Sequence, residues 1–385
     1  MLAQRAQAQT CTAPCYAVTQ AETNANVSPT NPAYPPGNIL RYGADPTGAA
    51  RSDTALLNAG KVAIAQLGMG MAGVPVYIPA GTYWIATPPV WAQSPNFQPL
   101  VIQGDGWGSQ LVNKAPSGSP TFDMTGHIGW TIRDLCLCGD ANYPNDGIHI
   151  GTANGAQTQQ WTVENVLSLM PGRGIVCADT NTGTIRNFTS WPGITAGLLQ
   201  SNLDIAPADI YPLINHHIHL TGNFCHNISI IDARCNPDKA YKAGMRGIKM
   251  DTTTSEGVSI FGGLFQTLSG SNNLETGIDI NPTSICQNML ISGVYMEGAI
   301  LALNNLQFCN IGPVTVGGSG GGGTLLVSNT LCTTFSGVYM GTGTISSGSN
   351  TFLGCAFPIF ADTGSPANIY LNCDLSTVLI SHQGI

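Results

Sequence analysis

Thr131-Ile132-Arg133-Asp134 is the first of ten similar segments, in each of which apolar residues lead into Asp, Asn or Gly. The corner residues of these segments are Asp134, Asn165, Asn187, Asp232, Gly262, Gly293, Gly312, Gly337, Gly354 and Asn372. Because Asp, Asn and Gly adopt a left-handed backbone at low cost, we expect a tight corner at each of them. Corners that recur at intervals of mostly 17 to 31 residues predict a solenoid.

The segments between the corners have the composition of strands. They are rich in Val, Ile, Thr and Phe, and apolar residues alternate with polar ones, which argues against helical repeats. Val101-Ile102-Gln103-Gly104 fits as an earlier coil. The predicted fold is therefore all-β, a right-handed parallel β-helix. Its coils would lie about 4.8 Å apart, so that equivalent residues form columns along the outside and any site is built from such columns.

A capping helix is predicted before the coils. Ser52 is a suitable N-cap for a helix of about fifteen residues that ends near Gly68. Such a helix would cover the open, apolar end of the first coil. We therefore expect residues 1–37 to form an N-terminal extension and residues 38–385 to form a single parallel β-helix domain.

Three motifs carry a family resemblance: YGADPTG at 42–48, SDT at 52–54 and YIPAGTYWI at 77–85. Together they resemble the N-terminal signature of the pectate-lyase-like superfamily, which includes polygalacturonase-like and rhamnogalacturonase-like enzymes and phage tailspike depolymerases. The resemblance is close over Asn38 to Ser109 and elsewhere rests on the repeat pattern. It implies the fold. Superfamily members hydrolyse, eliminate, epimerise or only bind, so the reaction stays open.

Composition excludes several classes of partner. The net charge is -8 and no basic stretch with interleaved aromatic residues occurs, so nucleic acid is not an expected partner. No apolar run reaches the length of a membrane span, so membrane insertion is not expected. The cysteine spacings fit no zinc pattern, and we expect neither a metal nor a cofactor. Ala6-Gln7-Ala8 resembles the remnant of a signal-peptide cleavage site, which favours an extracellular or secreted protein, including one on a virion or cell surface.

Rare charged residues concentrate in two predicted columns. Alternation places one residue per coil in an outward column: His149, Val176, His219, Lys249, Asp279 and Leu301. The residues just before them form a second column: Asp146, Arg173, His216, Arg246, Thr276 with neighbouring Glu275, and Glu297. Since only 9% of the residues are charged, this concentration marks the candidate site.

The columns support two chemistries. Glu275, Asp279 and Glu297 are candidate acid, base or nucleophile groups of a glycoside hydrolase, because such enzymes use pairs of carboxylates. In a lyase, Lys249 or His219 would remove the proton next to a uronate carboxylate, and Arg246 would neutralise the developing charge. A simple cross-strand ion pair between Lys249 and Asp279 is the structural alternative.

Candidate substrate-binding residues lie in loops and at one end of the columns. Trp191, Tyr211 and Tyr241 fall in or beside two long loops, where aromatic rings would stack on sugars. Asp146 and His149 belong to a segment that resembles the NTDGxDI strand of polygalacturonases. The adjacent-coil Asp pair of that family is absent, with Gly172-Arg173-Gly174 in its place. The family mechanism is therefore not transferred, and Asp146 is expected to lie too far from Asp279 to act with it.

The sequence thus predicts an extracellular protein that cleaves a polysaccharide by glycoside hydrolysis or β-elimination. The alternative is a non-catalytic glycan-binding or structural spike. A homotrimer is also considered as the assembly.

Overall fold

The computed structural model describes residues 15–94, 98–139, 145–152, 157–170, 172–191, 216–235, 246–266, 276–317, 323–364, 367–375 and 378–380. Two α-helices, α1 Gln20–Asn24 and α2 Asp53–Gly68, and the 3₁₀ helix Ile39–Tyr42 precede the strands. The strands of the first half are β1 Val76–Ile78, β2 Gly81–Ile85, β3 Leu100–Gly104, β4 Ser109–Asn113, β5 Phe122–Asp123, β6 Ile128–Gly139, β7 Ile148–Ile150, β8 Thr158–Leu169, β9 Ile175–Arg186, β10 Thr189–Ser190, β11 His216–Ile231 and β12 Arg234–Cys235.

The strands of the second half are shorter. They are β13 Arg246–Met250, β14 Thr254–Glu256, β15 Ser259–Phe261, β16 Leu264–Gln266, β17 Thr276–Ile280, β18 Ile285–Gln287, β19 Leu290–Ser292, β20 Val294–Glu297, β21 Ile300–Asn304, β22 Leu306–Gln307, β23 Asn310–Ile311, β24 Val314–Gly317, β25 Thr324–Ser328, β26 Thr334–Ser336, β27 Val338–Tyr339, β28 Thr342–Ile345, β29 Thr351–Leu353, β30 Ile359–Asp362, β31 Ile369–Leu371 and β32 Val378–Ile380.

Strands of successive coils pair in parallel and form three long sheets. The site sheet, which carries the candidate site, runs through β5, β7, β9, β11, β13, β17, β21, β25, β28, β30 and β32. A second sheet runs from β1 to β31 through the strands that precede the corners. A third sheet begins at β2 and continues through β16, β20, β24 and β27. The parallel solenoid predicted from the corners is confirmed.

All ten predicted corner residues have positive φ, from +50° at Asn187 to +124° at Gly312. Two of these corner side chains also form a hydrogen bond between neighbouring coils. Nδ2 of Asn165 donates to Oδ1 of Asp134 at 2.7 Å. Inside the coils, equivalent apolar residues stack. The rings of Phe335 and Phe352, for example, lie 4.6 Å apart and nearly parallel. The corner prediction is confirmed at the level of the backbone.

The predicted capping helix is present as α2. Leu56, Ala59 and Val62 of this helix are fully buried in the same apolar core as the first coils. Ser52 occupies the N-cap position, but its hydroxyl makes no capping bond to α2. It instead accepts a hydrogen bond from the backbone N–H of Asp45 at 3.2 Å. The expected helix is therefore confirmed, whereas the expected role of the Ser52 hydroxyl is wrong.

Residues of the predicted N-terminal extension also contact the core. Glu22 of α1 forms a fully buried ion pair with Arg41 of the 3₁₀ helix. NH2 of Arg41 donates to Glu22 at 3.0 Å, and the Tyr42 hydroxyl donates to it at 3.1 Å. This cluster fastens α1 against the chain that leads into α2.

Candidate active site

The outward column of the site sheet has the predicted register over five coils. His149 pairs with Val176, which pairs with His219, and the column continues through Lys249 to Asp279. The inward neighbours of these residues, such as Ile218 and Ile248, are fully buried. Packing of the interior therefore fixes the backbone positions from which the polar side chains project.

The column does not end as predicted. The register shifts between Thr276 and Ile278, so Asp279 pairs with Ala302 instead of Leu301. Leu301 pairs with Ile278 and is fully buried. The expectation that Leu301 faces outward is wrong, because alternation was counted across this irregularity.

Glu297 also lies elsewhere. It ends β20 in the third sheet, where it pairs with Gln266 and Gly317. The residue that follows Thr276 in the second column is Ile300. The expectation that Glu297 belongs to this column is therefore wrong. Glu275, Tyr211 and Tyr241 lie outside the described residues.

Asp146 lies at the centre of a polar cluster at the N-terminal end of the columns. Its Oδ2 is 2.8 Å from Nε2 of His149, and NH2 of Arg173 donates to the same oxygen at 2.7 Å. The backbone N–H of Arg173 donates to Oδ1 at 2.6 Å. Burial alone would raise the pKa of Asp146, but the bonds from His149 and Arg173 lower it to about 2. Asp146 is therefore ionised and orients Arg173.

His219 lies between a guanidinium group and a carboxylate. NH1 of Arg173 is 3.4 Å from Nδ1 of His219, and Nε2 of His219 is 2.9 Å from Oδ1 of Asp251. The second oxygen of Asp251 is 2.8 Å from Nζ of Lys249. Burial would raise the pKa of Asp251, but hydrogen bonds from His219 and Lys249 lower it. A continuous chain of polar contacts thus joins Asp146 to Lys249 through His219.

The cationic residues of the next coils complete the site. Nε of Arg246 donates to Oδ2 of Asp279 at 2.8 Å, so Arg246 and not Lys249 is the ion-pair partner of Asp279. The rings of His216 and His219 meet edge to face with centroids 5.0 Å apart. Burial, together with electrostatic interactions with His219, Lys249 and Arg246, lowers the pKa of His216 to about 3. The His216 side chain is therefore uncharged and lines the site.

Trp191 lies apart from this polar chain. Its ring is 6.4 Å from that of Trp107 in an edge-to-face contact. Together with Trp84 it packs on an apolar cluster outside the third sheet, formed by Val112, Cys136, Cys138, Leu167 and Leu169. In this position, Trp191 covers apolar surface.

Asp251 is the site residue that sequence reasoning missed. It follows Lys249 by two residues, so alternation along the strand places both on the outer face. This i, i+2 spacing was the available signal. Arg173 was placed in the second column, but its contact with His219 depends on side-chain conformations that a sequence pattern does not specify.

Within the described ranges, no group of three or more His, Cys, Asp or Glu residues is placed to hold a metal ion. In the same part of the chain, no helix is long and apolar enough to cross a membrane.

Comparisons place this architecture among known structures. No protein-family model and no curated protein matches the chain.

PfbA, a surface adhesin of Streptococcus pneumoniae, is similar in structure, with a TM-score of 0.54 at 11% sequence identity, over 89% of this chain and 93% of PfbA. The A-module of the mannuronan C-5 epimerase AlgE4 of Azotobacter vinelandii matches with a TM-score of 0.45 at 17% identity, over 90% of this chain and 98% of the module. Tailspike protein 2 of bacteriophage CBA120 matches with a TM-score of 0.44 at 11% identity, over 89% of this chain and 46% of the tailspike domain. At such identities the likeness to PfbA concerns the fold alone.

Proposed function

We propose that this chain, whose fold is a parallel β-helix, is an extracellular protein that cleaves a uronate-containing polysaccharide by β-elimination. The observation that carries this proposal is the position of His219 between Asp251 and Arg173. In this proposal His219 is the general base and the neighbouring cations bind the uronate carboxylate.

The two nitrogens of His219 have different partners. Asp251 accepts a hydrogen bond from Nε2–H of His219 at 2.9 Å, so that in a neutral imidazole the lone pair lies on Nδ1. In the resting structure this lone pair accepts a hydrogen bond from NH1 of Arg173 at 3.4 Å, and in the proposal Nδ1 becomes the proton acceptor when Arg173 turns to the uronate carboxylate. A base positioned in this way accelerates proton transfer by about 10² to 10⁴.

Three cationic residues lie beside His219: Arg173 contacts Nδ1, and Lys249 and Arg246 lie on the adjacent coil, where they pair with His219 and His216. The side chains of Arg173, Lys249 and Arg246 keep about 32%, 28% and 25% of their surface exposed, so all three are open to a ligand while anchored by carboxylates. Removal of the proton next to a carboxylate places negative charge on the carboxylate oxygens. Cations held in fixed positions stabilise that charge in the transition state.

The same contacts argue against hydrolysis by Asp146, Asp251 and Asp279. A glycoside hydrolase needs one carboxylic acid that stays protonated, with a raised pKa. The pKa values of Asp146 and Asp251 are both lowered, and Asp279 is held by Arg246. These three groups suit orientation of cations better than acid catalysis.

Binding without turnover is the second candidate. The observation that favours it is that each of the three aspartates already has a cationic partner, so the surface is stable without a substrate. Such a surface can bind an acidic glycan through the exposed parts of its cations.

A panel of acidic and neutral polysaccharides separates these functions. Elimination releases reducing ends together with absorbance from unsaturated uronate, hydrolysis releases reducing ends alone, and a binding module gives neither while retaining affinity. We expect unsaturated product from an acidic polysaccharide, and a loss of at least a hundredfold in His219→Gln. His226→Gln, on the same strand but next to Phe224, is the matched control and should keep full activity.

The hydrolase variants test the opposite outcome. If Glu275→Gln, Asp279→Asn or Glu297→Gln removes activity that yields reducing ends without unsaturation, while His219→Gln does not, the proposed elimination is wrong.

A further inference from the structure

Two cysteines occupy equivalent positions on adjacent coils near the end of the described solenoid. Cys355 and Cys373 each directly follow a corner residue. Strands β29 and β31 pair in register up to these corners, and a bridge between Ala356 and Asp374 continues the register beyond them. Cys355 therefore lies directly opposite Cys373.

Both thiols belong to the coil interior. Cys355 is buried in the core, and Cys373 packs against the same core but is only partly buried. Sγ of Cys355 donates to the backbone oxygen of Phe335 at 3.6 Å. Sγ of Cys373 donates in the same way to the backbone oxygen of Phe352 at 3.5 Å, one coil further on. Burial and the contact between the two thiols raise the pKa of Cys355 to about 11.

We propose that Cys355 and Cys373 form a disulfide bond between their two coils on reaction with a small disulfide such as oxidised glutathione. Successive coils lie about 4.8 Å apart, which is within the range of about 4.4 to 6.8 Å that a disulfide spans between Cα atoms. Val338 fills the corresponding position of the preceding coil, so packing alone does not require a thiol there. In an extracellular protein, oxidising conditions favour the bond.

The strand that carries the corner before Cys373 can adjust to this bond. Among the described residues, β31 pairs with β29 alone, whereas β29 pairs on both sides, with β26 and β31. Ile369 and Leu371 of β31 are 56% and 51% exposed, so few buried contacts oppose a small movement of Cys373 toward Cys355. A covalent bond to the preceding coil would compensate for this sparse packing.

The reaction balances with oxidised glutathione as the oxidant. The thiolate of the partly exposed Cys373 attacks one sulfur of the reagent and displaces one glutathione thiolate, so that a mixed disulfide forms. Cys355 then loses its proton to solvent, and its thiolate attacks Sγ of Cys373 and displaces the second glutathione. The two protein thiols lose two electrons and two protons, and one glutathione disulfide becomes two thiols. Because the pKa of Cys355 is raised, we expect this second step to accelerate about tenfold per pH unit from pH 7 to pH 9.

Peptide mass spectrometry of the native protein tests the proposal. Cys332→Ser is the starting protein, because Cys332 is exposed and would react by itself. The protein is incubated with oxidised glutathione, its remaining thiols are alkylated in denaturant, and it is digested with chymotrypsin. We expect Cys355 and Cys373 in one pair of linked peptides. Cys355→Ala should stop at the mixed disulfide and retain one glutathione on Cys373, whereas Cys235→Ala, which removes a buried cysteine of β12, should keep the link.

Calorimetry gives a second measurement. The oxidised protein should have a Tm about 3 to 4 °C above that of the reduced protein, and this difference should vanish in Cys373→Ala. Recovery of both thiols unlinked from the native protein, or a link of either thiol to another cysteine, would overturn the proposal. A link that forms only after unfolding in urea would overturn it as well, because the native contact would then not direct the reaction. None of these outcomes bears on the proposed elimination, which polysaccharide turnover tests separately.

Discussion

Replacement of Glu22 by Gln should destabilise the fold strongly. Glu22 and Arg41 are both fully buried, and Glu22 also accepts hydrogen bonds from the Tyr42 hydroxyl and the backbone N–H of Thr19. Loss of the negative charge leaves the guanidinium of Arg41 buried without its counter-ion. Breaking one partner of a buried ion pair costs about 3 to 5 kcal/mol.

This free energy translates into a measurable shift. For 385 residues that unfold together, the entropy of unfolding near the midpoint is about 0.8 kcal/mol/K, so Tm should fall by about 4 to 6 °C. Scanning calorimetry at pH 7 measures this. Arg186→Gln is the matched control, since the 3.6 Å contact between Arg186 and Glu164 is largely exposed and worth at most about 1 kcal/mol.

The pH dependence of the effect has a defined sign. Burial raises the pKa of Glu22, but the hydrogen bonds from Arg41 and Thr19 outweigh it, and the net pKa is lowered. The stabilisation is therefore complete above the unfolded pKa of about 4.3 and is lost as pH falls through the lower folded value. The difference between wild type and Glu22→Gln should shrink in acid. A Tm shift at pH 7 no larger than that of Arg186→Gln would refute the reasoning.

Three further predictions concern the corners, the site and the thiols. Asn187→Val should destabilise by about 1 to 2 kcal/mol in calorimetry because a β-branched residue resists positive φ, whereas Asn187→Gly should not; equal melting of all three proteins would contradict the corner assignment. Asp146→Asn should reduce the loss of stability between about pH 4 and pH 2, because the pKa of Asp146 is lowered to about 2 and its contribution disappears in that window; unchanged acid unfolding curves would argue against the contacts with Arg173. Cys332 is exposed whereas Cys355 is buried, so Cys332→Ser should reduce the amplitude of the fast reaction of the native protein with a thiol reagent and Cys355→Ser should not; an unchanged fast amplitude in Cys332→Ser would contradict this exposure.

The parts of the fold that depend on local preferences could be predicted from the sequence. Positive φ is an intrinsic tendency of Asn, Asp and Gly, so the corners at Asp134 and Asn187 were recognisable from residue type alone. Helix α2 was recognisable for a similar reason, since helical residues follow a cap position at Ser52. The Ser52 hydroxyl, however, accepts a hydrogen bond from the backbone N–H of Asp45, a contact that the residue type does not reveal.

The parts of the site that depend on register across coils could not be predicted in full. The column from His149 to Asp279 was recognisable because alternation continues unbroken through these strands. One irregularity between Thr276 and Ile278 then moved Leu301 to the interior. A shift of one residue reverses every side chain that follows, so errors accumulate beyond such a point.

Ion-pair partners were the least predictable feature. Lys249 and Asp279 are cross-strand neighbours, yet Lys249 binds Asp251 on its own strand and Arg246 binds Asp279. On adjacent coils, several oppositely charged side chains lie close enough to form ion pairs. Small differences in side-chain conformation decide which of these pairs form. Spacing in the sequence identifies the members of such a cluster but not their pairing.

The arrangement of the site shows what separates the two proposed functions, binding and cleavage. The apolar interior fixes the coil spacing, and the pairs of Arg173 with Asp146 and of Lys249 with Asp251 hold cations at that spacing without any substrate. In the binding proposal, these cations bind an acidic glycan. Cleavage would require in addition a proton acceptor among the cations, and in the proposed elimination this acceptor is Nδ1 of His219, which contacts Arg173. Replacement of His219 should therefore abolish turnover and leave affinity, whereas replacement of Arg173 should weaken both.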